Sequence, residues 1–186
     1  MSFFDLVLVA IGVSMDAFSV AICKGLSLPK IAWRDALLVG LYFGLFQAIM
    51  PLLGYLGGSG FSTLIQQWDH WIAFFLLLFL GVQMIWEARK PESCPVGGLD
   101  FHTMLPLAIA TSIDALAVGV TMAFLQVNIF QCVGFIGLAT FLFSVAGVWI
   151  GHFFGQKFQR TAQIFGGLVL ILIGGKILIE HTGIFS

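Results

Sequence analysis

Two aspartates lie in the middle of long apolar segments of the chain. Asp16 lies within LVLVAIGVSMDAFSVAICKGL, and Asp114 lies within LPLAIATSIDALAVGVTMAFL. If these segments cross a bilayer, a charged side chain at the centre costs about 3 kcal/mol on insertion scales, and residues kept there at that cost usually serve a function. No Lys or Arg lies at the same depth to pair with them. Since two carboxylates neutralise one divalent ion, the pair predicts a site that binds and releases a cation.

Other oxygen-bearing side chains lie beside the aspartates or at matching depth in other apolar segments. These further candidate ligands are Ser14, Gln47, Thr111, Ser112 and Thr140. Carboxylate, amide and hydroxyl oxygens are the ligands preferred by hard cations such as Mg²⁺, Ca²⁺ and Mn²⁺. The sequence therefore predicts an oxygen-ligated divalent metal site around Asp16 and Asp114.

The composition sets the environment of this site. Of the 186 residues, 60% are hydrophobic and only 9% are charged, which is too few charges to cover the surface of a soluble domain. Apolar runs of about 20 residues, the length that a membrane-spanning helix needs, follow one another along the chain. Six spans are predicted, at 3–23, 35–57, 69–87, 102–124, 128–151 and 163–181. The predicted fold is an all-α integral membrane protein, a single membrane domain over 1–186 with no room for a soluble enzyme domain.

The basic residues predict the orientation. The three connections on one side of the membrane hold all but one of the eight basic residues, namely Lys24, Lys30, Arg34, Arg89, Lys90, Lys157 and Arg160. The eighth, Lys176, lies within the sixth span and can extend its amine outward along the helix. Because cytoplasmic loops carry the excess of Lys and Arg, the basic side is predicted to be cytoplasmic and both termini to lie outside.

The two halves of the chain repeat each other. Asp16 matches Asp114, and Ser14 matches Ser112, at an offset of 98 residues. In the following spans the offset is 93 residues, and the matched pairs are Gly44 and Gly137, Gly54 and Gly147, Gly58 and Gly151, Gly81 and Gly174, Glu87 and Glu180. The first repeat covers about 1–88, a linker about 89–101, and the second repeat about 102–186. Three spans per repeat is an odd number, which predicts an inverted-topology repeat with a midplane site, as in secondary transporters.

Glu87 and Glu180 end their spans on opposite sides of the membrane. Because they match each other between the repeats, they are candidates for relay or gate carboxylates. The alternative is that both are solvated acids at helix ends.

The sequence lacks the motifs that mark several other kinds of chemistry. Cys23, Cys94 and Cys132 are odd in number and scattered without a CxxC pair, which argues against a soft-metal site and against a disulfide. There is no GxxxxGK motif followed by Ser or Thr, so direct use of ATP is not expected. The net charge of −1 gives no indication of nucleic acid as a partner. The chain is predicted to be no enzyme and to use neither nucleotide nor nucleic acid.

Four stretches resemble the bacterial manganese efflux pump family, MntP. They are SMDAFSVAICKG, YFGLFQAIMPLLGYLGG, WDHWIAFFLLLFLGVQMIWE and ATSIDALAVGVTMAFLQVNI, and the resemblance covers nearly all of the chain. It implies export of Mn²⁺ across the bacterial inner membrane, with Mn²⁺ as substrate and no permanently bound cofactor. It also implies that Asp16 and Asp114 are the paired intramembrane acids, while some members of the family carry Glu at the position of Gln47.

The driving force is predicted from the residues rather than from the resemblance. An Asp that loses its metal ion in a dry site rises in pKa and takes up a proton, which favours exchange of Mn²⁺ for protons. The order of preference among Mn²⁺, Cd²⁺, Co²⁺ and Fe²⁺, the oligomeric state and the most populated conformation stay open at this point.

Three alternatives to a metal transporter stay open. An exporter of a small organic cation or amino acid shares the six-span plan, and the 20 Phe residues offer material for an aromatic wall. An intramembrane aspartyl protease also needs two Asp, although its GxGD pattern is absent around Asp114, which reads TSIDA. Finally, each Asp can be a protonated staple that is hydrogen-bonded to a neighbouring helix.

Overall fold

The structure is a computed structural model that describes residues 3–28, 30–60, 69–89, 98–125, 127–154 and 157–182. The side chains at 3, 69, 70, 87, 157–159, 162 and 180–182 are outside that description. The helices are α1 (Phe3–Ser27), α2 (Trp33–Ser59), α3 (Asp69–Glu87), α4 (Phe101–Thr111), α5 (Ile113–Phe124), α6 (Ile129–Phe154) and α7 (Lys157–Thr182). The described part of the chain contains no strand, so the prediction of an all-α protein is confirmed there.

The length and apolar character of the helices fit a bilayer. Among the described residues, four stretches are long and apolar enough to cross one, namely Phe4–Ser27, Trp33–Ser59, Phe101–Phe124 and Ile129–Phe154. Two shorter apolar stretches, Trp71–Trp86 and Gln163–Ile179, lie within α3 and α7. Large apolar side chains on the outer faces of α2 and α6 are exposed, for example Leu45 (52% exposed) and Leu138 (58%). Such side chains are suited to lipid contact, and the chain is a helical membrane protein.

The predicted fourth span is divided in two, which the sequence analysis did not foresee. α4 ends at Thr111 and α5 begins at Ile113, with Ser112 between them at φ −109° and ψ 8°. The Ser112 hydroxyl donates to the carbonyl oxygen of Ala108 at 2.5 Å, and the Thr111 hydroxyl donates to the same oxygen at 3.3 Å. Two adjacent hydroxyls thus compete with the backbone for a helical carbonyl, which is a physical reason for a break at this point.

The helix is not broken at Ser14, the matching position in the predicted first repeat. The Ser14 hydroxyl makes the equivalent bond to the carbonyl oxygen of Ala10 at 2.5 Å, inside the continuous helix α1. The residue before Ser14 is Val13, which has no hydroxyl, whereas Thr111 precedes Ser112. The second hydroxyl is therefore the local difference between the two matched segments.

Glycines let two pairs of helices pack backbone to backbone. A Cβ atom at Gly54 of α2 would overlap the carbonyl oxygen of Leu116 of α5, and one at Gly58 would lie 3.3 Å from the Cα atom of Val120. Both contact positions advance by four residues, so α2 and α5 run parallel. Because no side chain separates the two backbones here, glycine is required at the close approach.

The packing of α1 against α6 follows the same pattern. A Cβ atom at Gly147 of α6 would lie 3.0 Å from the carbonyl oxygen of Phe18, and one at Gly151 would overlap that of Ile22. These contacts also advance together, so α1 and α6 are parallel.

The remaining close contacts are antiparallel. Between α2 and α6, Gly40 contacts Val145 while Gly44 contacts Gly137, so one residue number rises as the other falls. In the contacts of α7 with α3 and with α1, residue numbers likewise rise along one helix as they fall along the other. Since α6 is parallel to α1 and antiparallel to α2, and α2 is parallel to α5, the helices α1 and α5 run in opposite directions. The two segments that carry the aspartates are therefore antiparallel.

Candidate functional site

Asp16 and Asp114 line the same cavity. The cavity has a volume of about 340 Å³ and lies among α1, α3, α4 and α5. Thr111 and Gln83 contribute further oxygens to its wall, and the rest of the lining is apolar. Both aspartates are partly buried. The antiparallel helices α1 and α5 thus bring together two carboxylates that are 98 residues apart in the chain.

The break in the fourth span determines how Asp114 is presented. Asp114 lies in the first turn of α5, where the backbone amide of Ala115 donates to its Oδ1 at 2.7 Å. The N-terminal end of a helix favours a negative charge because its backbone N–H groups point outward. α4 ends at the same place. The last carbonyl groups of a helix carry partial negative charge and favour a cation beside them. Broken helices supply ion sites in transporters through this combination.

Two predicted ligands, Ser14 and Thr140, contact each other instead of lining the cavity. Their hydroxyl oxygens are 2.8 Å apart, and both side chains are fully buried between α1 and α6. Ser112 is also fully buried, and its hydroxyl is committed to the Ala108 carbonyl. None of these three side chains lines the cavity, and each hydroxyl is buried with a hydrogen-bond partner within the protein.

Gln47 is fully buried and turns one end toward the helix of Asp16. Its Nε2 donates to the carbonyl oxygen of Val13 at 3.0 Å, and Val13 lies one helical turn before Asp16. The Gln47 Oε1 atom is buried and accepts no hydrogen bond from the described residues. A buried amide oxygen without a donor is costly unless something else satisfies it, and a cation is one such group.

Gln83 was missed by the sequence analysis although it lines the cavity. A signal was available, because Gln83 lies one turn before Glu87 in the third span and matches Lys176 at the 93-residue offset. The third spans of the two repeats therefore carry polar residues at two matched positions, of which only the glutamates were noticed.

The cavity extends from the aspartates toward one end of the helix bundle. On α1 its wall runs from Asp16 to Val20, and on the broken span it runs from Asp114 back to Leu107, about 10 Å along the helix axis. Met84, near the end of α3, also lines it. The cavity therefore lies toward the end at which α1 and α3 finish and α4 begins.

This end of the bundle carries a buried cation. Lys24 is fully buried near the end of α1, and its Nζ donates to the carbonyl oxygen of Gly98 at 3.4 Å. Asp100, just beyond, caps α4 by accepting from the backbone amide of Thr103 at 3.2 Å. The hydrogen bond from the Thr103 side chain lowers the pKa of the Asp100 carboxyl, so this exposed cap is ionised at neutral pH.

The expectation that the cysteines form no disulfide was wrong. Cys23 is disulfide-bonded, whereas Cys132 is a free, buried thiol and Cys94 lies outside the described residues. Spacing along the chain did not reveal this, because a disulfide depends on which cysteines the fold brings together.

Within the described part of the chain, no three His, Cys, Asp or Glu side chains cluster as a metal-binding group. An ion between Asp16 and Asp114 would thus complete its shell with amide, hydroxyl, carbonyl or water oxygens. Such mixed oxygen shells are characteristic of hard divalent cations.

The rim acids stay a prediction, since the side chains of Glu87 and Glu180 lie outside the described residues. If the chain exports Mn²⁺ as the resemblance implies, we expect Glu87→Gln to leave that export near normal, because a solvated acid at a helix end contributes little to a buried ion site. Transport of Mn²⁺ by cells that express equal amounts of the two proteins checks this. A complete loss of export would instead place Glu87 in the ion pathway.

Comparison with known proteins identifies the family. Residues 30–178 match the family model described as "Putative manganese efflux pump". A MntP protein of Mannheimia succiniciproducens, named with the same words, is 55% identical over 98% of both chains. Those of Acetivibrio thermocellus and Desulfitobacterium hafniense are 53% and 51% identical, over 100% and 96% of this chain and 95% of each relative. No solved structure matches the chain. The resemblance seen in the sequence is thereby confirmed, and the chain belongs to the MntP family.

Proposed function

We propose that this chain is a secondary transporter that exports Mn²⁺ from the cytoplasm across the bacterial inner membrane. The observation that carries the proposal is the cavity that Asp16 and Asp114 line together. Each carboxylate is expensive at membrane depth when charged, and one divalent ion neutralises both. The names of the relatives supply the metal, because all of those cited are described as manganese efflux pumps.

The proposed ion shell combines groups of the cavity wall with the buried amide of Gln47. Asp16, Asp114 and Thr111 are available from the cavity wall. The unsatisfied Oε1 of Gln47 is a further oxygen ligand on the α2 side of Asp16. Ser14, Ser112 and Thr140 act behind these groups. The contact between the Ser14 and Thr140 hydroxyls holds α1 against α6, and the Ser112 hydroxyl supports the break between α4 and α5.

The proposed architecture is six spans in two inverted three-helix repeats, about 1–88 and about 102–186, within a single membrane domain. Contacts between matched glycines support it. A Cβ atom at Gly44 would lie 3.0 Å from the carbonyl oxygen of Gly137, and one at Gly137 would lie 3.2 Å from that of Gly44. Reciprocal contact between matched residues is what a two-fold relation between the repeats requires.

The helix pairs exchange in the same way. Gly54 contacts Leu116, and its match Gly147 contacts Phe18, which is itself the match of Leu116. An exchange of the repeats therefore converts the α2–α5 contact into the α6–α1 contact.

The cavity is proposed to face the cytoplasm. It lies toward the end of the bundle where Lys24, Arg34 and Arg89 are located, and positive charge marks the cytoplasmic side. An exporter must accept its ion from that side, so the cavity corresponds to the entry state. Both termini are then on the outer side.

Two serines at opposite ends of the bundle test this orientation. In a variant whose three cysteines are replaced by Ser, we expect Ser59→Cys to react with a membrane-impermeant thiol reagent in whole cells and Ser27→Cys to react only after permeabilisation. The sites are matched, because each serine is exposed at a helix end and donates to the carbonyl three residues earlier at 2.9 Å. The reverse labelling pattern would invert the assigned orientation.

Proton exchange is the proposed driving force. When the ion leaves, two carboxylates remain in a cavity with mostly apolar walls, and desolvation favours their protonated forms. Proton binding on the outer side thus helps release the metal, and proton loss on the inner side restores the site.

A growth experiment tests the function itself. Expression in a manganese-sensitive bacterial strain should restore growth on Mn²⁺ and lower the cellular Mn²⁺ content, without protecting cells against toxic amino acids. Protection against amino acids with no change in Mn²⁺ content would instead favour the exporter of small organic molecules.

A further inference from the structure

Two interfaces that the repeats should make equivalent differ in the structure. α1 packs closely on α7, where a Cβ atom at Gly166 would lie 2.6 Å from the Cβ atom of Met15. Met15 is 5% exposed, but its match Ile113 is 61% exposed and lines the cavity. The α1–α7 contact is therefore tight at the level of Met15, whereas the matched position beside α3 faces open space. Nearer the start of α1, an apolar groove of about 310 Å³ remains between α1 and α7 on the outer surface, and Asp5 and Lys176 lie in its wall.

A second matched pair shows the same difference. Gly12 is buried in α1, where an added Cβ atom would lie 3.1 Å from the side chain of Leu170. Its match Ala110 is exposed and lines the cavity. The asymmetry thus extends along the helix from the aspartates toward the start of α1.

An ion pair lies at the end of the closed interface. The Lys176 amine of α7 bonds the Asp5 carboxylate of α1, whose side chain is only 5% exposed, against 43% for that of Lys176. Asp5 lies eleven residues before Asp16, about 16 Å along the axis and on the side away from the cavity. The match of Lys176 is Gln83, which lines the open cavity.

We propose that Asp5 and Lys176 form the outer gate of the transporter. The pair is made while the cavity is open to the inner side, and it breaks when α7 moves away from α1 to open an exit path. In that second state the α3 side, with Gln83, closes as the α7 side does here. The inference rests on the proposed export function, because it assigns the closed interface to the exit.

The burial of the Asp5–Lys176 pair gives it the properties of a gate. A nearly buried Asp beside Lys is stable only while the two charges are paired or while water enters to solvate them. The pair therefore stabilises the closed α1–α7 interface, from which water is excluded. It still allows an open interface, in which water solvates both charges. A lysine at this position supplies the attraction, whereas Gln83 at the matched position leaves its own interface open.

Accessibility of Val9 tests the gate without measuring transport. Val9 lies in α1 between Asp5 and Asp16 and is 2% exposed. In the cysteine-free background, Val9→Cys should react slowly with an impermeant thiol reagent added outside. Lys176→Gln or Asp5→Asn should each raise that rate about tenfold by shifting the population toward the outer-open state. Lys176→Arg, which keeps the charge, should retain the slow rate, and Lys30→Gln serves as the matched loss of a lysine elsewhere.

The outcomes separate the gate from the export function. An unchanged labelling rate in both Lys176→Gln and Asp5→Asn, at normal protein level, would overturn the gate even if Mn²⁺ export proceeds. Faster labelling in both variants supports the gate, also if the transported substrate proves not to be Mn²⁺. Equal acceleration in Lys176→Arg would contradict the proposal as well, because a change of shape rather than loss of charge would then open the interface.

Discussion

Asp16→Asn and Asp114→Asn are each expected to abolish Mn²⁺ export while the protein still inserts and accumulates. Asparagine keeps the size and one oxygen of aspartate but removes the charge. A single remaining carboxylate cannot neutralise a divalent ion in the shared cavity. Cellular Mn²⁺ content and growth on Mn²⁺, measured at matched membrane levels of protein, check this result.

The double variant and a control sharpen the test. Asp16→Asn combined with Asp114→Asn should be no worse than either single variant, because residues that act as one unit are not additive. Asp100→Asn should export normally, since Asp100 is exposed outside the cavity and Asn caps a helix as well as Asp does. If either single variant of the pair reached full level with wild-type export, the shared site would be ruled out, and a staple role would explain the Asp better.

Gly54→Ala is expected to destabilise the folded protein strongly. The added Cβ atom would overlap the carbonyl oxygen of Leu116 and lie 3.0 Å from its carbonyl carbon, so a backbone must move. Overpacking typically costs about 1–3 kcal/mol, and we expect the upper end because the obstacle is backbone rather than a flexible side chain. For a chain of this size that corresponds to a fall in Tm of roughly 6–12 °C.

Gly57→Ala on the same helix is the matched control. No heavy atom lies within 4 Å of a Cβ atom built at Gly57, and alanine is the better helix former, so Tm should stay the same or rise. The pair Gly151→Ala and Gly134→Ala on α6 repeats the comparison, because Gly151 faces the carbonyl oxygen of Ile22 and Gly134 faces open space. Equal thermal stability of purified Gly54→Ala and Gly57→Ala proteins would show that the α2–α5 contact is wrong.

Some features of the molecule were predictable because a membrane makes the alternatives costly in free energy. An acid such as Asp16 inside an apolar run is expensive in any membrane protein, so its type and position alone mark it. Long apolar runs had to be helices because a bilayer leaves backbone groups no other partners. The matched glycines marked the repeat in the sequence, and in the structure Gly54 and Gly147 both lie at close helix contacts.

Other features depend on contacts between distant segments and could not be read along the chain. The break at Ser112 arises from two hydroxyls competing for the Ala108 carbonyl, whereas Ser14 makes the same bond without a break. Membership of the cavity wall depends on which helix faces meet. For that reason Gln83 was missed, and the contact between the Ser14 and Thr140 hydroxyls could not be foreseen.

The proposed two-fold relation between the repeats would not predict the asymmetry either. Matched positions such as Met15 and Ile113 have similar sequence surroundings, but one is buried and the other exposed. Under the proposed export function, the open side is a property of one conformational state, and the sequence would encode the second state as well.

Transport by the purified protein tests directly whether Asp16 and Asp114 carry Mn²⁺ in exchange for protons. The protein is reconstituted in liposomes with a Mn²⁺ indicator and a pH dye, and a pH gradient is imposed. We expect protein-dependent Mn²⁺ flux, with protons moving in the opposite direction, and loss of both signals in Asp16→Asn and Asp114→Asn. Mn²⁺ flux no greater than in protein-free liposomes, or full flux in the two Asp variants, would contradict this expectation.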